Sequence, residues 1–321
     1  MSARPQLTGA LQAAWGPART SQVELRASQD AALRRLAVHA YEQVRYYRRI
    51  FDRHRLHPRH LRGVVDLDLV PATTRQDFLA QDRLHLLARD SDPSVLISLR
   101  PDGRGPALYR TWLEDLLHLL HRVRALAALG VQPRDRVAIV RASDSPDVER
   151  HGLALHLLGL RRRGVFGCGW SAERLASGIE AFMPDVVAGT PAVLDRLAGA
   201  APRVHPRLVV VEGRPPLPRL RARFAEAFRA PVRAVYGLGA DTPLAAECRE
   251  TGAYHANDGW ALLEVLVDGR PAAVGERGEL AVTLLHSYAM PVLRYRLGHL
   301  ATRGGPCACG APFSTILAPD A

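Results

Sequence analysis

Apolar side chains recur at three- and four-residue spacing through DAALRRLAVHAYEQVRYYRRIF, residues 30–51, and this spacing predicts an amphipathic helix. In LVPATTRQDF, Pro71 with Thr73 or Thr74 supplies a second helix start. Residues 1–95 therefore read as a mainly helical region with loops. From 96 to 243 the pattern alternates. VLISL, VAIV, GVFGCG, DVVAG, LVVVEG and VRAVYG have the short apolar runs of strands. Between them, TWLEDLLHLLHRVRALAAL, VERHGLALHLLGL, SAERLASGIEAF, TPAVLDRLAG and a stretch near 217–229 have the period of helices. Strands that alternate with helices imply an α/β fold with mostly parallel sheets covered by helices. From 244 to 321 the character changes. WALLEVLV, GELAVTLL and PVLRYRL are strand-like runs with turn residues between them, which predicts a β-rich, antiparallel C-terminal segment. No internal repeat interrupts this order.

The chain has 321 residues, 47% of them hydrophobic, enough for a sizeable core. No apolar run approaches a membrane span, and MSARPQLTGALQAAWGPARTSQ lacks the apolar core of a signal peptide. A cytoplasmic protein without a membrane partner is the expectation. The formal net charge is +11, and every basic residue is arginine. Such charge fits either a polyanion-binding protein or a compositional bias toward arginine. The arginines read as scattered, without an aromatic-interleaved basic patch. Compositional bias is therefore the simpler account, and nucleic acid is not the expected partner. With no lysine in these residues, no step that needs a lysine can use one from them.

Three of the four cysteines gather near the C-terminus, in AAECRETGAYH and GGPCACGAPF. Cytosolic disulfides are rare, so cysteines beside a histidine read as metal ligands. Cys248, His255, Cys307 and Cys309 form a closed Cys₃His set suited to one structural zinc ion, with no position left for a catalytic water. The alternative is three buried thiols and an unrelated histidine.

In order and content these segments resemble the phenylacetate–CoA ligase-like branch of the adenylate-forming enzymes. The matching stretches are YYRRIF with LVPATTRQDF, GVQPRDRVAIV, AGTPAVLDRLA, VYGLGADTPLAAEC, GAYHANDGWALLEV, GERGELAVTLL, MPVLRYRLGHL and the closing CACG. The resemblance runs from about residue 41 to the end. It implies the large-domain fold of that superfamily. It also implies activation of a carboxylic acid with ATP to an acyl-adenylate and transfer to a thiol. Comparable Cys/His sets in the family reinforce the zinc assignment.

The departures fall on the residues that do this chemistry in the family. Its Ser/Thr/Gly-rich phosphate loop ends in Gly-Lys; here the stretch is SLRPDGRGP, in which Ser98 and Gly103 match and Arg104 takes the lysine position. Asp102 would repel a triphosphate, and Pro101 lacks an N–H donor. In YGLGAD the family's Thr-Glu is replaced by Gly239 and Ala240, with Asp241 one residue on. In YRLGH the family's ribose-binding aspartate is His299, which offers one acceptor in its neutral form. The family's small lysine-bearing C-terminal domain would lie beyond residue 321. Together these departures argue against ordinary ATP- and Mg²⁺-dependent adenylation by this chain alone.

Several site residues remain. Glu264, Gly275, Glu276, Gly278, Glu279, Arg294 and Arg296 match the family's scaffold. The resemblance puts Arg294 and Arg296 near the nucleotide, where they either hold an anion or pair with Glu264 and Glu279. Tyr236, followed by Gly237, matches a ring that stacks near adenine, against the alternative of a core tyrosine. Cys168 and His299 are the weak catalytic candidates; the thiol would need an activating base such as His151 or His156. Three functions stay open. The first is a diverged enzyme of specialised metabolism that handles a carboxylic acid or acyl group. The second is an inactive homologue that serves an active ligase or a carrier protein, as a homodimer or a heteromer. The third is an anion- or nucleic-acid-binding module.

Overall fold

The computed structural model describes residues 21–92, 96–99, 107–141, 162–167, 169–200, 203–238 and 242–319. The described residues begin with helices α1 (Gln22–Gln43), α2 (Arg45–Arg53), α3 (Arg75–Leu79) and α4 (Arg83–Leu86), short strands β1 (Ile97–Leu99) and β2 (Leu108–Arg110), and helix α5 (Trp112–Ala128). Then come β3 (Arg136–Arg141), β4 (Arg162–Gly167), α6 (Ala172–Phe182), β5 (Val186–Gly189), α7 (Pro191–Gly199), β6 (Leu208–Gly213), α8 (Pro218–Phe228) and β7 (Val232–Leu238). The remaining strands are β8 (Thr242–Glu247), β9 (Tyr254–Ala256), β10 (Ala261–Val267), β11 (Arg270–Pro271), β12 (Arg277–Leu284), β13 (Tyr295–Arg303) and β14 (Thr315–Leu317). These elements group into two compact units, one of residues up to 117 with 255–319, the other of 118–254.

The second unit holds the expected parallel sheet. Its strands run β4-β3-β5-β6-β7, all parallel, with β8 antiparallel to β7. β5 and β6 are buried at every residue, as the unbroken valine-rich runs VVAG and LVVVEG require of strands covered on both faces. Proline opens both α7 and α8, at the position where a missing N–H costs nothing. Ser171 Oγ caps α6 by accepting from the Arg174 N–H at 3.2 Å. One polar feature is not visible in the pattern. Arg122 on α5 makes a fully buried bidentate pair with Glu212 at the end of β6, with Nε–Oε1 and Nη2–Oε2 both 2.7 Å.

In the first unit the helix expected over 30–51 is two helices. α1 starts earlier, where Ser21 and Glu24 form a capping box. The chain then breaks at Val44, which is extended and fully buried. The break turns Tyr46, Tyr47 and Phe51 of α2 into the core. Thr74 does open a helix, α3, through a capping box with Asp77.

The N-terminal helices and the C-terminal strands, separate stretches in the sequence, pack in this one unit. The Tyr47 hydroxyl accepts from the Leu293 N–H at 2.9 Å. Thr73 N–H donates to Arg294 O at 3.0 Å, and Arg296 N–H donates to Thr73 O at 2.8 Å. The strands of this unit run β11-β10-β12-β13-β14, antiparallel throughout. PVLRYRL is strand only from Tyr295, because Arg294 lies in the left-handed region at φ 46° and ends the extended run.

His286 is buried in this unit, stacked on Trp260 with ring centroids 5.3 Å apart. Burial, with a smaller push from Arg35, lowers its pKa to about 4. The folded-state pKa is depressed below the unfolded value, so the neutral ring contributes fully above about pH 6.5. That contribution is lost as pH falls toward 4, and amounts to roughly 3 kcal/mol at most. Chemical unfolding of wild type between pH 7 and 4 should show this loss, and His286→Phe should show a flatter profile over the same window. Identical slopes would remove His286 from the acid response.

Candidate metal centre and anion-contact residues

Two tight turns bring the cysteines together. Cys248 follows β8; its N–H donates to Ala253 O at 2.6 Å, and its carbonyl accepts from the Gly252 N–H at 3.2 Å. Gly252 sits at φ +73°, a conformation that glycine adopts without steric cost. In the second turn Gly310, at φ +76°, donates to Cys307 O at 3.0 Å, so Cys307 and Cys309 lie on one four-residue loop. His255 lies in β9.

The four ligand atoms, one from each of Cys248, His255, Cys307 and Cys309, lie within 4.8 Å of one another. Tetrahedral bonds of about 2.3 Å place sulfur ligands roughly 3.8 Å apart, so one ion fits among them. His255 Nε2 is 3.2 Å from Cys309 Sγ. Its buried Nδ1 has no hydrogen-bond partner, a polar atom the surrounding protein does not satisfy. The donor set and the convergence of its four ligand atoms fit a metal ion.

Neighbours hold the ligand segments. Ser314 N–H donates to Asp258 Oδ2 at 2.6 Å, Ala256 N–H to Ser314 O at 2.8 Å, and Gln29 Nε2 to Asp258 O at 3.0 Å. Burial pushes the Asp258 carboxyl up to about pKa 6 against the pull of its hydrogen bonding to Ser314 and of His255 and Arg26. The Phe313 ring packs edge-on to His255 at 6.3 Å.

The anion-contact candidates are not assembled in the same way. Arg294 is 2% exposed, and each guanidinium nitrogen has a protein acceptor. Nε donates to Glu264 Oε2 at 3.1 Å, Nη1 to Asp68 O at 3.1 Å and Val70 O at 2.8 Å, and Nη2 to Gly269 O at 3.3 Å. Arg296 is half-exposed and donates to Glu279 through Nε at 2.7 Å. His299 is buried in β13. Tyr236 is fully buried in β7, and Gly237 sits beside it where the β7–β8 register shifts. Ser98 lies in β1, with its backbone opposite Tyr109. Gly103, Arg104, Asp241 and Cys168 lie outside the described residues, as do His151 and His156.

The structure also exposes a local run of arginines within a charge pattern that read as scattered over the whole chain. All nine arginines between Arg34 and Arg62 are exposed in the first unit. Counting charge over this interval alone would have flagged it.

No family model matches the chain. Among curated proteins it is similar to the phenylacetate–coenzyme A ligase of Escherichia coli (strain K12), 31% identical over 304 residues that cover 87% of this chain and 68% of the relative. The phenylacetate–coenzyme A ligase of Aromatoleum evansii is 31% identical over 314 residues, covering 90% of this chain and 69% of the relative. Among solved structures, 2-hydroxyisobutyryl-CoA ligase in its postadenylation state with 2-HIB-AMP matches with a TM-score of 0.79 at 19% identity, covering 92% of this chain and 67% of that one. Its open conformation with 2-HIB-AMP and CoA gives a TM-score of 0.78 at 18% identity, covering 92% and 74%. At these identities the structural likeness establishes the mixed α/β fold.

Proposed function

The chain belongs to the phenylacetate–coenzyme A ligase family, and from that premise we propose that it binds or transfers a carboxylic acid or acyl group without ordinary ATP-dependent adenylation on its own. The observation that carries this reading is the set of replacements in the phosphate-loop stretch, in YGLGAD and in YRLGH. The resemblance implies a place for Arg294 near the nucleotide, and here its guanidinium is held by Glu264 and three backbone carbonyls. Arg296 is likewise paired with Glu279. Asp102 and Pro101 stand in the phosphate-loop stretch, Gly239 and Ala240 replace Thr-Glu, and His299 replaces the ribose-binding aspartate. Removing one preorganised electrostatic group typically costs about 10²–10³-fold in rate, so several replacements act against the same step. Such a protein suits specialised metabolism, as a diverged acyl-handling enzyme or as a pseudoenzyme partner of an active ligase.

In this reading the metal is zinc and its role is structural. A closed Cys₃His set has no open position for water or substrate. When bound, zinc would supply cross-linking alone. Cys248, His255, Cys307 and Cys309 would hold it, while Asp258 fixes the segment that carries Ser314.

Calorimetry with Mg·ATP, together with pyrophosphate release in the presence of phenylacetate, tests the adenylation claim. We expect no micromolar ATP affinity and no acid-dependent pyrophosphate. Micromolar binding with acid-dependent release would defeat the proposal and restore the family's ordinary reaction. Among the described residues no helix is long and apolar enough to cross a membrane.

A further inference from the structure

We propose that the arginine-rich face of the first unit docks an acidic segment of a partner protein, and that a groove beside α1 receives an apolar side chain of that segment. Between Arg34 and Arg62 the sequence has nine arginines against two acids, Glu42 and Asp52. That is a net of +7 in 29 residues, out of +11 for the whole chain. All nine arginines are exposed, on α1, on α2 and on the turn that follows. Within this field lies a groove of about 540 Å³ between one face of α1 and the His57–Arg62 turn. Pro58 and Leu61 line it from the turn side, and Val38, 41% exposed, lines it from the helix.

Arginine stands at the groove on both sides, Arg34 from the helix and Arg59 and Arg62 from the turn, against one acid in the lining, Glu42. Arg34 spends one N–H on the Arg62 carbonyl. Among the described residues the Arg59 guanidinium makes no ion pair. Guanidinium groups match carboxylates two donors at a time, so this rim recognises Asp and Glu side chains. The apolar lining adds what a free anion has no use for, a place for a leucine- or phenylalanine-sized group.

A single-stranded nucleic acid would also be attracted by the charge, but it needs open aromatic faces for its bases. Here Tyr46, Tyr47 and Phe51 are buried, and Arg48 lies over the Tyr41 ring at 5.2 Å. The charge-plus-groove combination therefore favours an acidic amphipathic polypeptide. This inference stands apart from the zinc and adenylation readings, because the surface uses none of their residues.

The test is fluorescence anisotropy of the full chain with a labelled 16-residue amphipathic peptide of Leu, Glu and Asp. Comparison probes are the same peptide with each Leu replaced by Ser, and a 20-nucleotide single-stranded DNA. We expect the Leu-containing peptide to bind. Its affinity should fall about tenfold or more between 50 and 300 mM salt, as screening of an exposed cationic surface requires. Arg59→Glu should weaken it about tenfold, and Arg34→Glu with Arg59→Glu further. Val38→Asn, which removes the apolar contact without adding charge, should weaken binding with little change in the salt response. The single Arg59→Glu variant keeps the test independent of folding, since its side chain supports no described contact. No binding of the Leu-containing peptide, equal binding of the Ser peptide, tighter binding of the DNA, or full affinity in the Arg59→Glu variant would each overturn the proposal.

Discussion

Replacing Cys307 and Cys309 together by serine is expected to yield a protein without zinc and destabilised by at least about 4 kcal/mol, well beyond the ~1 kcal/mol of an ordinary substitution. The size follows from what the turn would lose. Two of four donors disappear, and serine hydroxyls do not replace thiolates toward a soft metal. The loop of Cys307 to Gly310 loses its cross-link to Cys248 and His255, and the buried Cys248 and the His255 ring stay behind without the ion. Metal analysis should find about one zinc per chain in wild type and none in the variant. A strong chelator should move the wild-type melting transition toward that of the variant. A wild type that is isolated metal-free and melts unchanged in chelator would sink the assignment of zinc, and a double variant as stable as wild type would sink its structural role.

The convergence of Cys248, His255, Cys307 and Cys309 was legible in the sequence because there are so few candidates. Four cysteines leave little choice, and a glycine after the Cys-x-Cys pair marks the turn. The parallel sheet was legible for a similar reason, since buried valine runs such as LVVVEG tolerate little else than a strand covered on both faces. What sequence reading missed depends on tertiary partners. The α1–α2 break at Val44 carries no proline or glycine; it is decided by the burial of Val44, Tyr46 and Tyr47. The start of β13 is set by Arg294, which enters the left-handed region without being glycine. The buried Arg122–Glu212 pair joins residues 90 positions apart, beyond any local pattern. The run of nine arginines between Arg34 and Arg62 was legible as a local charge count, and a scattered reading of the whole chain passed over it. Their exposure depends on which sides of α1 and α2 are buried, and that is decided by tertiary packing.

Arg294→Met is expected to destabilise the protein by roughly 3–5 kcal/mol, the usual range for breaking one side of a buried ion pair. Methionine fills much of the same volume, so the loss is electrostatic rather than a cavity effect. It strands the Asp68, Val70 and Gly269 carbonyls and leaves Glu264 without its cation. Lysine should rescue little, because one ammonium cannot reach four acceptors spread around a planar guanidinium. The pH dependence gives the effect a signature. Burial already raises the Glu264 pKa while Arg294 pulls it down. Removing Arg294 raises it further, and a carboxyl with a raised folded-state pKa loses stability as pH rises through that value. The deficit of Arg294→Met should therefore be largest at neutral pH and shrink toward pH 5. Glu264→Gln added to Arg294→Met should recover part of the loss at pH 7, a non-additivity expected of partners in contact. Urea unfolding of the single and double variants at pH 7 and pH 5 measures all of these. A single variant within about 1 kcal/mol of wild type at pH 7 would mean that the guanidinium is not held as a structural group. Arg294 would then be available for the nucleotide contact that the family resemblance implies.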